Sequence, residues 1–177
     1  MGIRYKDAFD LHSKWPCGAK DLITDVPGVL VGHTTLIDSA KDIHTGVTAV
    51  LPHGGNLFRD KVMAACSVIN GFGKSIGLLQ VQELGTIETP ILLTNTMSIG
   101  TAYTALCKYM LEQNSDIGVT TGTVNCLVTE CNDGTLNDIR GMHVQESDVR
   151  SAIEAAGPDL AEGCVGSGSG MCCLGLK

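Results

Sequence analysis

The apolar positions of this chain fall into short runs broken by glycine, proline or charge, and their period changes several times. In residues 22–37, β-branched runs (Val29, Leu30, Val31, then Thr34 and Thr35) follow the turn pair Pro27-Gly28 and are closed by the polar stretch 38–42, which predicts a hairpin or two short strands. Residues 45–51 predict another strand, ended by Pro52 and Gly54-Gly55. Phe58, Val62, Cys66 and Ile69 recur at helical spacing, so 57–69 reads as a helix that covers a sheet and stops at Asn70-Gly71. The runs 76–81 and 91–93 are too short for helices and read as buried strands. Tyr103, Leu106, Cys107, Met110 and Leu111 mark one face of a helix over about 98–112. Residues 124–128 predict a strand leading into Cys131-Asn132-Asp133-Gly134, whose Asp-Gly pair signals a tight turn. Ser147 and Asp148 open a helix that carries Val149, Ile153 and Ala156 and ends at Gly157-Pro158. Strands and helices interleave, which gives an α/β or α+β class, and no repeat or low-complexity linker divides the chain.

Composition narrows the function. With 177 residues, one domain is expected, and 44% apolar against 18% charged residues excludes a disordered chain. Twelve basic and 19 acidic side chains give a net charge of -7, which argues against nucleic acid or an anionic membrane as partner. Residues 1–16 contain no apolar block of signal-peptide length, Lys6 stands where a myristoylation motif needs Ser or Thr, and no run reaches the length of a membrane span. The chain therefore reads as soluble and cytoplasmic. Eight cysteines (17, 66, 107, 126, 131, 164, 172, 173) lie mostly in apolar runs without paired C-x2-C spacing, and no HExxH is present. Reduced, buried thiols and no metal are expected.

Two glycine-rich stretches stand out. Gly71-Phe72-Gly73-Lys74-Ser75 resembles the end of a phosphate-binding loop, but Val68 occupies the position of the first glycine, so a turn is the better reading. Residues 163–171, Gly-Cys-Val-Gly-Ser-Gly-Ser-Gly-Met, let backbone approach backbone or ligand closely, either as a structural bend or as a site-forming loop. The apolar run Cys172-Cys173-Leu174-Gly175-Leu176 beside it reads as a chain cut short.

Five ordered segments then become specific: ITDVPGVLVGHTTL (23–36), TGVTAV (45–50), TPILLTNTMSIG (89–100), ECNDGTLNDI (130–139) and GSGSGM (166–171). Together they resemble the DmpA-type aminopeptidases, which include the β-peptidyl aminopeptidases. The resemblance implies a four-layer α/β/β/α sandwich of N-terminal-nucleophile type, shared between an α and a β chain cut from one precursor. It also implies that the β chain begins with the nucleophilic Ser or Thr, so that this sequence corresponds to the α portion and lacks the nucleophile. Partners implied are the β chain of the same precursor, a small peptide or amide substrate and a homo-oligomer, with no cofactor. The chain is shorter than α chains of that family generally are.

The chemistry stands on its own terms. An N-terminal Ser or Thr has an α-amine of pKa near 8 that can serve as base for its own hydroxyl, so no separate histidine is required. Each acyl step passes through an oxyanion that needs a preorganised donor. Asn137, matching the family segment and carrying a side-chain NH2, is the first choice, with turn closure as its structural alternative. Asn95, between a strand and a helix start, is the second, with helix capping as its alternative, and Tyr103 offers a hydroxyl from what is equally a core position. For the substrate ammonium Glu83 is preferred over Glu88 and Glu130. An acyltransferase of ornithine-acetyltransferase type and a non-catalytic truncated copy are the alternative functions.

Overall fold

A computed structural model describes residue 4 and residues 14–172. The expectations for residues 1–3, 5–13 and 173–177, including Cys173, lie outside the described residues. Nine elements organise the remainder: β1 (Leu30–Asp38), β2 (Ile43–Leu51), β3 (Val62–Met63), α1 (Leu78–Leu84), β4 (Thr86–Ile87), β5 (Ile91–Asn95), α2 (Ile99–Gln113), β6 (Leu127–Cys131) and α3 (Glu146–Glu154). The mixed α/β class is as expected.

A four-stranded sheet in the order β1-β2-β5-β6 carries the site. β1 and β2 form one long hairpin in which Leu30 faces Leu51 and Asp38 faces Ile43. Asp42 takes a positive φ of 53° at its turn. β2 is antiparallel to β5, and β5 is parallel to β6, with Ile91 opposite Leu127 and Asn95 opposite Cys131. A parallel pair needs a crossover, and α2 supplies it.

Side chains alternate across the sheet, so each strand has two distinct faces. On one face Val47, Ala49, Leu92 and Val128 meet Ala102, Leu106 and Met110 of α2 and Val149, Ala152 and Ile153 of α3. Each fully buried Val, Leu, Ile or Met there contributes about 1.5–3 kcal/mol. Gly32 admits α3 at close range, since a Cβ there would run into the Ala152 carbonyl and the Ala156 amide. On the opposite face His33, Gly46, Thr48 and Cys131 lie beneath residues 163–170, the glycine-rich stretch. Of the four layers implied by resemblance, the described residues contain one helical layer and one large sheet, with β3–β4 as a separate two-stranded ribbon.

Several local expectations are corrected. Residues 57–69 are not a helix. Asn56 accepts the amides of Phe58 and Arg59 and binds Asn114, fixing a turn, after which Val62 pairs with Ile87. Helical periodicity earns nothing there because Met63, Val68 and Ile69 are exposed rather than gathered on a buried face. Residues 76–81 are not a strand: Ile76 makes one two-bond bridge to Val128, then Gly77 at φ 93° turns the chain into α1, which Gly85 ends at φ 67°. Residues 22–37 hold one strand after a short 3-10 turn, because β1 finds its hairpin partner in β2. The strand placed at 124–128 sits three residues later, set by its register with β5. α3 starts at Glu146, one residue before Ser147, and Asp148 holds its start by accepting the Gln145 amide. Residues 71–73 form the simple turn expected, with Gly73 bonded to Asn70. Among the described cysteines Cys17 and Cys164 are exposed and only Cys126 is fully buried. Among those residues no helix is long and apolar enough to cross a membrane.

Candidate active site

β5 ends at Asn95, and the chain turns at once into α2. The Asn95 Oδ1 accepts the amides of Met97 and Ser98, both at 3.0 Å, so this side chain caps the short 3-10 turn that leads into the helix. Its Nδ2 is thereby turned the other way and donates to Thr45 Oγ1 of β2 at 2.9 Å. Thr45 in turn donates to Asp133 Oδ2 at 2.6 Å, and Asp133 Oδ1 accepts Nδ2 of Asn137 at 3.1 Å. Asn137 Oδ1 accepts the backbone amide of His44 at 3.0 Å. The four side chains are 0–6% exposed. Two of the four residues proposed from sequence, Asn95 and Asn137, thus belong to one buried hydrogen-bonded row.

The loop after β6 is shaped to deliver its half of that row. Asn132 accepts the Gly134 amide, the Asp133 carbonyl accepts the amides of Leu136 and Asn137, and Asp138 donates its amide to Asp42 across the β1–β2 turn at 2.7 Å. A surface cleft of about 480 Å³ opens beside it, lined by Asp42, Thr135, Leu136, Asn137 and Asp138.

The glycine-rich stretch is clamped over the same end of the sheet. Gly166, at φ 53°, donates its amide to Thr35 Oγ1 at 2.8 Å, while Ser167 donates both its amide and its hydroxyl to Thr48 Oγ1 at 3.1 Å. His33 Nδ1 lies 2.9 Å from the same Thr48 oxygen, and burial holds the His33 imidazole below the usual histidine range. The Cys131 thiol donates to the Ser167 carbonyl at 3.0 Å and is pushed up to about 11 by burial, with the Asp133 and Glu130 charges adding to it. Gly170 packs so tightly that a Cβ would strike the His44 carbonyl and come within 3.2 Å of the Asn137 Cβ. The stretch therefore ends against the Asn137 arm of the row.

Tyr103 and Glu83 stand apart, with no hydrogen bond to the row among the described residues. Tyr103 packs against the core on α2, and its interaction with the Cys107 thiol raises its phenol above the ordinary range. Glu83 is exposed on α1. Glu88 is buried against Lys61 and the Asn125 amide, whereas Glu130 accepts from Thr96 and the Lys74 amide one residue before the Asn95–Cys131 pair. Sequence reasoning did not single out Thr45 or Asp133. Thr45 reads as the first residue of a strand and Asp133 as half of a turn signal, and neither spacing reveals a bond across 88 positions.

Comparison with known proteins identifies the family and the fold. Residues 21–177 match peptidase family S58, and the chain belongs to that family. It is 38% identical over 169 residues to the β-peptidyl aminopeptidase BapA of Sphingosinicella microcystinivorans, covering 90% of this chain and 41% of that protein. The PH0078 protein of Pyrococcus horikoshii OT3 superimposes with a TM-score of 0.88 at 54% identity, over 90% of this chain and 47% of that one. A Burkholderia β-aminopeptidase gives 0.84 at 41% identity, over 89% and 45%. The L-aminopeptidase D-Ala-esterase/amidase of Ochrobactrum anthropi, a serine aminopeptidase described as a variant of the Ntn hydrolase fold, gives 0.83 at 32% identity, over 97% and 49%. The chain shares that fold and spans about half the length of these relatives.

Proposed function

We propose that this chain is the α portion of a self-cleaving N-terminal-nucleophile aminopeptidase that removes N-terminal residues from short peptides, amides or esters through an acyl-enzyme. The observation that carries the reading is the seating of the glycine-rich stretch on the sheet with Gly170 against His44 and Asn137, beside the buried row of Asn95, Thr45, Asp133 and Asn137. In this reading the chain continues past that contact to a Ser or Thr whose hydroxyl first takes up the preceding acyl group and, once freed, attacks the substrate with its own α-amine as base. Asn137 and Asn95 donate to the oxyanion. An asparagine NH2 has two hydrogens, and each of these uses one within the row, leaving one for the reaction. One such donor is worth about 2.7–4 kcal/mol. No step is assigned to Tyr103 or Glu83. The partners in this reading are the β chain and a small peptide or amide substrate.

Intact-mass measurement of the full gene product, followed by incubation with an amino-acid p-nitroanilide and no acceptor amine, tests it. The expected result is two chains, the second beginning with Ser or Thr, and steady release of p-nitroaniline. One uncut chain overturns the reading, and release that requires an added amine acceptor favours an acyltransferase instead.

A further inference from the structure

We propose that Thr45 and Asp133 are positioning residues that fix the side-chain amides of Asn95 and Asn137 with their NH2 groups facing the centre of the row; the inference rests on the reading above, in which those amides meet the oxyanion. A carboxylate only accepts, so Asp133 Oδ1 can face Asn137 only through the Nδ2 end, which sends Asn137 Oδ1 to the His44 amide. Asp133 Oδ2 takes the single hydrogen of the Thr45 hydroxyl. With that hydrogen committed, Thr45 Oγ1 can meet Asn95 only as an acceptor, so the Nδ2 end of Asn95 faces it and Oδ1 receives Met97 and Ser98. One acceptor-only group therefore orients two amides on separate segments, and every bond in the row agrees on the direction.

The choice of aspartate needs such a reason. Asp133 is fully buried, and no Lys, Arg or His pairs with it among the described residues. An unpaired buried carboxylate is expensive, and an asparagine of nearly the same shape would avoid that cost. What asparagine lacks is the inability to donate. With its own NH2 facing Thr45 it would compel the hydroxyl hydrogen to leave the row, and with its NH2 facing Asn137 it would set two donors against each other. Thr45 sits on the central strand β2 and Asn95 at the end of β5, so the amides inherit the rigidity of the sheet.

The test uses the full-length gene product and kcat per processed chain, counted by mass. Thr45→Val keeps the shape and removes the relay, whereas Thr45→Ser keeps the hydroxyl. Thr45→Val and Asp133→Asn are expected to lower kcat toward an amino-acid p-nitroanilide roughly 10- to 100-fold, the size of effect that misplacing a reacting group produces, with KM changed less than about twofold. Thr45→Ser is expected to retain wild-type kcat. Should Asp133→Asn fail to fold, the Thr45 pair decides alone. Wild-type kcat in Thr45→Val, or a Thr45→Ser enzyme as slow as Thr45→Val, overturns the inference. A wild-type protein that neither cuts itself nor releases p-nitroaniline overturns the functional reading instead, so the two failures are distinguishable.

Discussion

At Cys131 three kinds of chemistry meet: a strand end, the clamp on Ser167 and the charges of Asp133 and Glu130. Burial and these carboxylates raise the thiol from the ordinary 9.0 to about 11, so very little thiolate exists at neutral pH. At pH 8, iodoacetamide should modify the exposed Cys164 well before Cys131, and Cys131 labelling should climb about tenfold per pH unit toward 11. Peptide mass mapping reads this directly, and equal rates at pH 8 would contradict the environment described. At this scale the sequence was partly legible. Asn95 and Asn137 carry a side-chain amide beside recognisable punctuation, a strand end and a turn, so their chemistry announces itself. Thr45 and Asp133 have no such mark, because their significance is a contact between segments 88 residues apart.

Among the elements, the best-read were those whose pattern and burial coincide. β2 and β5 bury apolar positions as expected, and α2 buries Leu106 and Met110 with Tyr103 and Cys107 packed beside them, although Leu111 is exposed. Residues 57–69 and 76–81 misled because periodicity records spacing and not what lies opposite; the first run buries Leu57 and packs Phe58 on the core but leaves Met63, Val68 and Ile69 exposed, and the second is redirected by Gly77. The glycine-rich stretch was legible as permissive backbone, but its docking depends on Thr48, a residue ordinary in any strand. Thr48→Val removes the acceptor for both Ser167 donors and the partner of His33 Nδ1. A cost of about 1–3 kcal/mol is expected, at roughly 2–4 °C of Tm per kcal/mol for a chain of this size. A melt unchanged from wild type would show the clamp to be idle. Acid should weaken the same clamp: folding favours neutral His33, so its contribution is present above the ordinary 6.5 and declines as pH falls below it.

At the scale of the whole molecule, three of the most exposed large apolar side chains among the described residues fall in one stretch of sequence, with Phe72 among them. Met63 (93%), Ile69 (95%), Phe72 and Leu79 (82%) all lie between β3 and α1, on a chain whose net charge is only -7. Apolar side chains left this exposed mark a contact site or an aggregation hazard. The 177-residue chain produced alone should bind 8-anilinonaphthalene-1-sulfonate and self-associate in light scattering, and replacing Phe72 and Leu79 with Ser should reduce both. A monodisperse, dye-silent monomer would remove that expectation. This exposure is not legible in the sequence, where Ile69 reads as the covered side of a helix and Leu79 as part of a buried strand.

The bond between Thr45 and Asp133 also has a meaning in time. During synthesis the polypeptide emerges from its N-terminal end, and the wall that orients Asn95 is unfinished until Asp133 and Asn137 have cleared the ribosome and closed back onto β2. The orienting row is thus a late feature of synthesis, assembled from segments that leave the ribosome 88 residues apart.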